Sequence, residues 1–315
     1  MKVFVAGATG ALGRQLLPSL VAEGHEVTGM TRTPAKQDLI RELGGRPAVA
    51  DALDPEAVAQ AVAEAGPEVV IHQLTSIQTG KLGRSIDKMF AQTNRLRTEG
   101  TDHLLAAARA VGARRFLAQS FAGWPFERTG ALVKSEEEPL QEHPPKTVSE
   151  SLAAIRHVES TVTGAEGIEG LALRYGGFYG PDTSIAVDPD GDQVAMIRKR
   201  RLPVVGNGAG VWSLVHIGDA AAATVAALDH GQPGLYNVVD DDPEPVSEVL
   251  PELAKAVGAA PPRRIPRWLG RLIAGEGNTI MMTEVRGASN DKAKRELGWE
   301  LRYPSWRQGF REGLA

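Results

Sequence analysis

At 315 residues, 42% hydrophobic and 23% charged, the chain has the length and composition of a protein that buries a full core. The net charge is −4, shared as −2 in residues 1–180 and −2 in residues 181–315, so no basic segment exists to bind nucleic acid by counterion release. Cysteine is absent, which excludes disulfides, thiolate metal sites and cysteine nucleophiles. An apolar strand from Lys2 leaves no room for a signal peptide, and no apolar run approaches about 18 residues, so a soluble cytoplasmic protein with no membrane span is expected.

Residues 1–13 read MKVFVAGATGALG. Val3, Phe4 and Val5 form an apolar run too short for a helix, and it breaks into Gly7, Gly10 and Gly13. Leu12, Leu16, Leu17, Leu20 and Val21 follow at the spacing of one helix face. A buried strand, a glycine turn and a helix start in that order suit a phosphate. The turn brings backbone close to the ligand, and the free N–H groups of the first helical turn point at the anion. Gly7, Thr9, Gly10, Ala11, Leu12 and Gly13 are the expected cradle of a dinucleotide. Residues 25–30 read as a second strand, and Pro34 is placed to open a helix. An NAD-specific site usually has an acid for the ribose 2′-hydroxyl about 20 residues beyond such glycines. This stretch offers Thr31, Arg32 and Lys36, with no acid before Asp38. A guanidinium at Arg32 suits a 2′-phosphate, so NADP is favoured over NAD; stacking on the adenine is its other available role.

A third strand over 46–50 ends at Asp51, which either accepts from the adenine amine or caps its own turn, and 55–65 is an alanine-rich helix. Residues 68–73 form a fourth strand, with His72 as a core histidine, running into Leu74 and Thr75 at the end expected to face the ligand. Residues 77–83 read as a mobile loop, and 87–111 as one helical segment with Gly100 as its interruption. A fifth strand over 114–119 precedes Ser120. Residues 121–145 begin aromatic and become rich in Glu and Pro, the composition of an active-site loop; Glu136, Glu137 and Glu138 read as a solvated face. A helix over 148–162 and a sixth strand over 170–174 complete the alternation. It predicts an α/β fold, a Rossmann-type doubly wound parallel sheet, in a first domain of residues 1–180. Beyond Pro181 the alternation loosens, and the acids of 182–192 lack EF-hand order. The basic run at 198–201 reads as a helix end or, through Arg201, as a hold on an anionic substrate. Strands at 211–217 and 235–239 with a helix at 219–229 return to the first domain. Helices over 246–257, 266–274 and 291–297 belong to a smaller substrate-binding lobe within 181–315, too fragmentary for a core of its own.

Together these stretches resemble the extended short-chain dehydrogenase/reductases, the NAD(P)-dependent epimerase/dehydratase group, nearly end to end. Residues 7–13 (GATGALG) match that group's nucleotide fingerprint, and Asp51 and Ala52 fall where it contacts adenine. Residues 70–72 with Leu74 and Thr75 match the fourth-strand segment beside the cofactor. Residues 116–124 resemble the segment carrying the group's active-site serine, which would be Ser120. Residues 173–181, 212–219 (WSLVHIGD) and 292–299 (KAKRELGW) match three further signatures. The resemblance implies hydride transfer on the carbonyl or hydroxyl of a small organic molecule. Reduction, epimerisation, dehydration and carbon–carbon cleavage all lie within that chemistry, and the resemblance suggests a homodimer.

The catalytic helix departs from the group's pattern. The group uses a Tyr as acid/base, a Lys four residues later and commonly an acid four further on; aligned on Glu159, those positions hold Ser151 and Ile155. None of the four tyrosines is followed by a lysine at that spacing. A phenol of pKa about 10 gives up its proton when an ammonium lies beside it. A serine hydroxyl is a far weaker acid and Ile155 has no charge, so the loss is worth about 10²–10⁴ in rate. Tyr175 and Tyr179, just past the sixth strand, are the first substitutes to consider, with Ser120 orienting a carbonyl and Lys134, Lys146 or Glu150 delivered by the loop. Phe121, Trp124 and Trp212, with Ser151, would line an apolar pocket for an aromatic or lipophilic substrate portion. Two functions stay open: an atypical NAD(P)-dependent oxidoreductase with a non-standard proton donor, and a catalytically silent NAD(P)(H) sensor.

Overall fold

The computed structural model describes residues 1–76 and 85–315; the loop expected at 77–83 lies outside the described residues. Strands Lys2–Ala6 (β1), Glu26–Thr31 (β2), Arg46–Val49 (β3), Val69–His72 (β4), Arg115–Phe121 (β5), Glu169–Tyr175 (β6) and Gly234–Val238 (β7) form one sheet. Every pairing is parallel, in the order β7-β6-β5-β4-β1-β2-β3. Val3 is in register with Val27 on one side and Val69 on the other, so the strand order reverses beside β1. The crevice at such a reversal is where ligands of doubly wound sheets bind.

Both faces of the sheet are covered, which is why its inner strands are apolar runs rather than alternating ones. Helices α1 (Ala11–Ala22), α8 (Ile217–Ala226) and α11 (Asp291–Leu297) bury Leu16, Leu17, Ala220 and Leu297 against Val3, Val5 and Ile71. On the other face, α3 (Pro55–Ala65), α4 (Ile86–Arg97), α5 (Glu99–Ala110) and α6 (Ser149–Thr163) bury Val62, Leu96, Leu104 and Val158 against Phe4, Val70 and Phe116. A short α2 (Gln37–Glu42) connects β2 to β3.

The second half is better built than its sequence suggests. Helices α7 (Asp192–Arg198), α9 (Val246–Ala256) and α12 (Trp306–Glu312) share an apolar cluster of Val194, Val249, Leu250, Leu253, Trp306 and Phe310, so the lobe has its own core. Residues 211–217 are not one strand but two, Val211–Trp212 and Leu214–His216, in separate small ladders; of the returning strands only β7 joins the main sheet. Helix α10 (Arg267–Thr283) runs past the expected end at 274 across a kink at Gly275, whose φ of 85° is left-handed. The 87–111 segment breaks at Thr98, not Gly100: Thr98 leaves helical geometry with its hydroxyl donated to the Asn94 carbonyl, while Gly100 continues α5. Among the described residues no helix is long and apolar enough to cross a membrane, and no group of three or more His, Asp or Glu residues could hold a metal ion.

Candidate functional site

The glycine turn between β1 and α1 has the geometry that a phosphate needs. Gly7 has φ +97°, and a Cβ there would lie 2.7 Å from the Gln73 carbonyl oxygen at the end of β4. A Cβ on Gly13 would lie 2.3 Å from the Gly7 carbonyl oxygen, so α1 can approach the turn only because that residue is glycine. Gly10 caps α1 with no side chain and no acid occupies the first turn, leaving Ala11, Leu12 and Gly13 with N–H groups free for an anion. Leu74 and Thr75 lie just past the end of β4 beside this turn, and β2 on its other side is followed by exposed Arg32. Asp51 and Ala52 follow β3; Asp51 is exposed and its carboxylate accepts the Leu53 N–H at 3.0 Å, which is the turn-capping role. The cofactor residues read from the sequence therefore share one edge of the sheet, and their geometry fits a dinucleotide.

The proton-transfer candidates fare differently. Tyr175 is wholly buried in the core beside α8, with its hydroxyl bonded to Thr224 Oγ1 at 2.6 Å and to Gln73 Nε2 at 3.1 Å. Tyr179 belongs to the core of the second lobe, packed edge-on to Phe310 and His216, with a buried hydroxyl. Burial raises both phenols above their ordinary range, and both hydroxyls lie inside the cores rather than on a surface that a substrate could reach. Ser120 is also sealed: its hydroxyl donates to Glu159 Oε1 at 2.6 Å. Glu159 in turn receives Arg174 through Nε and Nη2, each at 2.7 Å, in a buried bidentate pair. This network joins α6 to β5 and β6 and leaves Ser120 no proton for a carbonyl.

Helix α6 reaches the crevice through Ser151, which is almost fully buried. Its hydroxyl donates to Asp87 Oδ1 at 2.7 Å and accepts from Asn94 Nδ2 at 3.2 Å. Asp87 also accepts the backbone N–H groups of Glu150 and Ser151, at 3.1 and 2.8 Å. It caps α6 from the neighbouring helix, because Val148 at the N-cap has no side chain able to do so. Ile155, one turn on, is fully buried and apolar. Asp87 escaped the sequence reading because its partners lie more than sixty residues away.

The remaining predicted residues line the rim. Phe121, the last residue of β5, and Trp124 just beyond it are half-buried, and Trp212 is half-buried with its indole N–H donated to the Met281 carbonyl on α10. Arg201 is exposed beyond α7. The 121–145 segment is anchored: Val133–Lys134 pairs with Gly287–Ala288, Phe126 is buried, and Lys134 donates to the Thr129 carbonyl and Glu138. Glu136 departs from the expected solvated face. It is buried, accepts the Asn237 N–H at 2.7 Å, and burial raises its pKa. Lys146 and Glu150 are exposed.

A parallel sheet with a glycine cradle beside its strand-order reversal defines a Rossmann-type dinucleotide-binding protein. Residues 3–238 match the NAD dependent epimerase/dehydratase family, and the chain belongs to that family, as an oxidoreductase of the extended short-chain dehydrogenase/reductase type. It is 43% identical over 311 residues, 98% of this chain and 99% of the other, to a Streptomyces 3-diazoavenalumate denitrifying reductase. It is 30% identical to a 2-alkyl-3-oxoalkanoate reductase of Stenotrophomonas maltophilia, covering 82% of this chain and 76% of that one. The fold is that of UDP-glucose 4-epimerase from Thermotoga maritima with UDP-glucose, at a TM-score of 0.78 and 20% identity over 100% of this chain and 97% of that one.

Proposed function

We propose that this protein is an NADPH-dependent reductase that replaces a diazo group by hydrogen on an aromatic carboxylate. The observation that carries this reading is that, among the described residues, the positions where the family's chemistry places its proton donor hold none that is free. With Ser151 and Ile155 at the Tyr and Lys positions, the serine proton is committed to Asp87 and the isoleucine has none to give. Tyr175, Tyr179 and Ser120 are sealed in cores or networks. Reducing a ketone to an alcohol requires a proton on oxygen. When bound, a reduced nicotinamide supplies hydride, and hydride at a diazonium carbon forms the C–H bond as the C–N bond breaks and N2 leaves, so electrons and charge balance without a proton.

The 43% identity to a denitrifying reductase supports the same reading, since the match extends over nearly the whole of both chains. The glycine turn and the N-terminus of α1 hold the pyrophosphate, and exposed Arg32 takes the 2′-phosphate that favours NADPH over NADH. Phe121, Trp124 and Trp212 offer half-buried aromatic surface for a conjugated ring.

The test supplies NADPH carrying deuterium at C4 and an arenediazonium carboxylate, against a protein-free blank. Enzyme-dependent N2 release with deuterium on the former diazo carbon is expected. Turnover of β-keto acids or ketones with no reaction at the diazo compound refutes the proposal. Cofactor binding without turnover of either substrate class makes the protein a nicotinamide-nucleotide sensor instead.

A further inference from the structure

Arg97, the last residue of α4, is a buried cation without a counterion. It is 4% exposed, its Nε is buried without a partner, and no hydrogen bond or ion pair to its guanidinium occurs among the described residues. Glu159, the acid that acts on it electrostatically, is already neutralised, since both of its oxygens accept from Arg174 and one also accepts from Ser120. Two arginines therefore share one carboxylate, and a full positive charge is left in the protein interior. Burial pulls the Arg97 pKa down to about 10, with Glu159 acting in the opposite direction. A buried unpaired charge is strongly unfavourable unless something compensates it.

The position of Arg97 points to what compensates it. Helix α4 lies along the C-terminal end of β4: Thr93 Oγ1 accepts the Ser76 N–H at 3.0 Å, and the Leu96 carbonyl lies 3.2 Å from His72 Nε2. Arg97 follows Leu96 directly, and its carbonyl accepts from Thr101 Oγ1, which lies 3.1 Å from His72 Nε2, so the residue sits by the C-terminal end of β4. Strand β4 is the neighbour of β1, whose glycine turn begins the dinucleotide site. Asn94, one turn earlier on α4, also has a buried carbonyl oxygen, Oδ1, without a partner. Two unsatisfied polar groups, three residues apart on α4, thus lie on the helix that borders the C-terminal end of β4, the strand next to the one that carries the pyrophosphate cradle.

We propose that Arg97 binds the nicotinamide half of the dinucleotide, its guanidinium donating to the ribose hydroxyls or the adjoining phosphate. This rests on the reading of the protein as an NAD(P)H-binding enzyme. Arg97 is a cofactor-binding residue in this account and takes no part in proton transfer.

The test compares wild type with Arg97→Met, which keeps the length of the side chain and removes its charge. Binding of NADPH, NADH and adenosine 2′,5′-bisphosphate is measured by titration calorimetry, and the ligand-free melting temperature is recorded. The expected result is a loss of at least tenfold in NADPH affinity. Affinity for the bisphosphate, which lacks the nicotinamide half, stays within twofold, and the ligand-free melting temperature is unchanged or higher because an uncompensated charge is gone. Arg97→Lys recovers part of the lost affinity. Unchanged NADPH affinity in Arg97→Met overturns the assignment, as does an equal loss for NADPH and the bisphosphate. Wild type that binds neither NADPH nor NADH overturns the cofactor reading itself, and Arg97's role with it.

Discussion

Acidification should weaken the fold through one buried histidine at the wall of the cofactor crevice. His72 ends β4, with Nε2 3.2 Å from the Leu96 carbonyl and 3.1 Å from Thr101 Oγ1, and Nδ1 accepting the Leu74 N–H at 3.3 Å. Thr101 gives its own proton to the Arg97 carbonyl at 2.7 Å, so Nε2 carries the ring proton and Nδ1 is the acceptor. A second proton would have to enter at Nδ1, against the Leu74 N–H. Burial, with the Arg97 cation adding to it and the Leu96 carbonyl opposing it, pushes the His72 pKa from 6.5 down to about 4. The folded pKa is below the unfolded one, so the unfolded chain binds more protons between these values. Stability present above the unfolded pKa is therefore lost as pH falls through this window. At about 1.4 kcal/mol per pH unit, the loss between about pH 6.5 and 4.5 is about 2–3 kcal/mol. Urea unfolding at several pH values measures it, with His72→Gln as the control that keeps a donor for Leu96 but cannot titrate. Carboxylates titrate in both proteins, so the difference between the two curves isolates the histidine. Parallel curves for wild type and variant would refute the assignment.

Glu159→Gln leaves Arg174 buried without its counter-charge and should cost about 3–5 kcal/mol in chemical denaturation, with a smaller loss when Arg174→Met is added. Gly13→Ala sets a Cβ against the Gly7 carbonyl at 2.3 Å and should weaken NADPH binding by more than about tenfold, read by fluorescence titration. Ile155→Lys buries an unpaired cation in the interior and should destabilise the protein by several kcal/mol, about 3–5, rather than restore ketone reduction. Arg32→Ala should raise the Kd for NADPH far more than that for NADH; equal weakening of both removes the 2′-phosphate role.

The sheet and cradle were legible because their physics is local. A strand buried on both faces has to be an apolar run, and a turn that meets another backbone at 2.7 Å has to be glycine, so both leave marks in consecutive residues. The break at Thr98 was misplaced because glycine is only a weak helix breaker, whereas a hydroxyl bonded back to Asn94 acts through geometry that composition does not carry. The core of the second lobe was underrated because its apolar residues are scattered over α7, α9 and α12 and meet only in three dimensions. The same cause hid Asp87, whose capping partners are more than sixty residues distant, and Arg97, whose unpaired state depends on Glu159 being held by Arg174. Tyr175 and Tyr179 were suggested by chain position near the expected nicotinamide, but strand alternation turns one into the α8 face and the next turn carries the other into the second lobe.

The proton economy of the crevice bears on which reactions it can support. Among the hydroxyls of Ser151, Ser120, Tyr175 and Tyr179, the fold uses three structurally: Ser151 braces α6 to α4, Ser120 braces α6 to β5, and Tyr175 ties Gln73 to α8. The fourth, Tyr179, is packed in the core of the second lobe. Restoring acid/base catalysis at position 151 would require more than a tyrosine, because Ser151 is held by Asp87 and Asn94 and position 155, where the family has a lysine, is a fully buried isoleucine. Under the proposed function, these commitments suit a hydride acceptor whose leaving group departs neutral and whose product needs no proton.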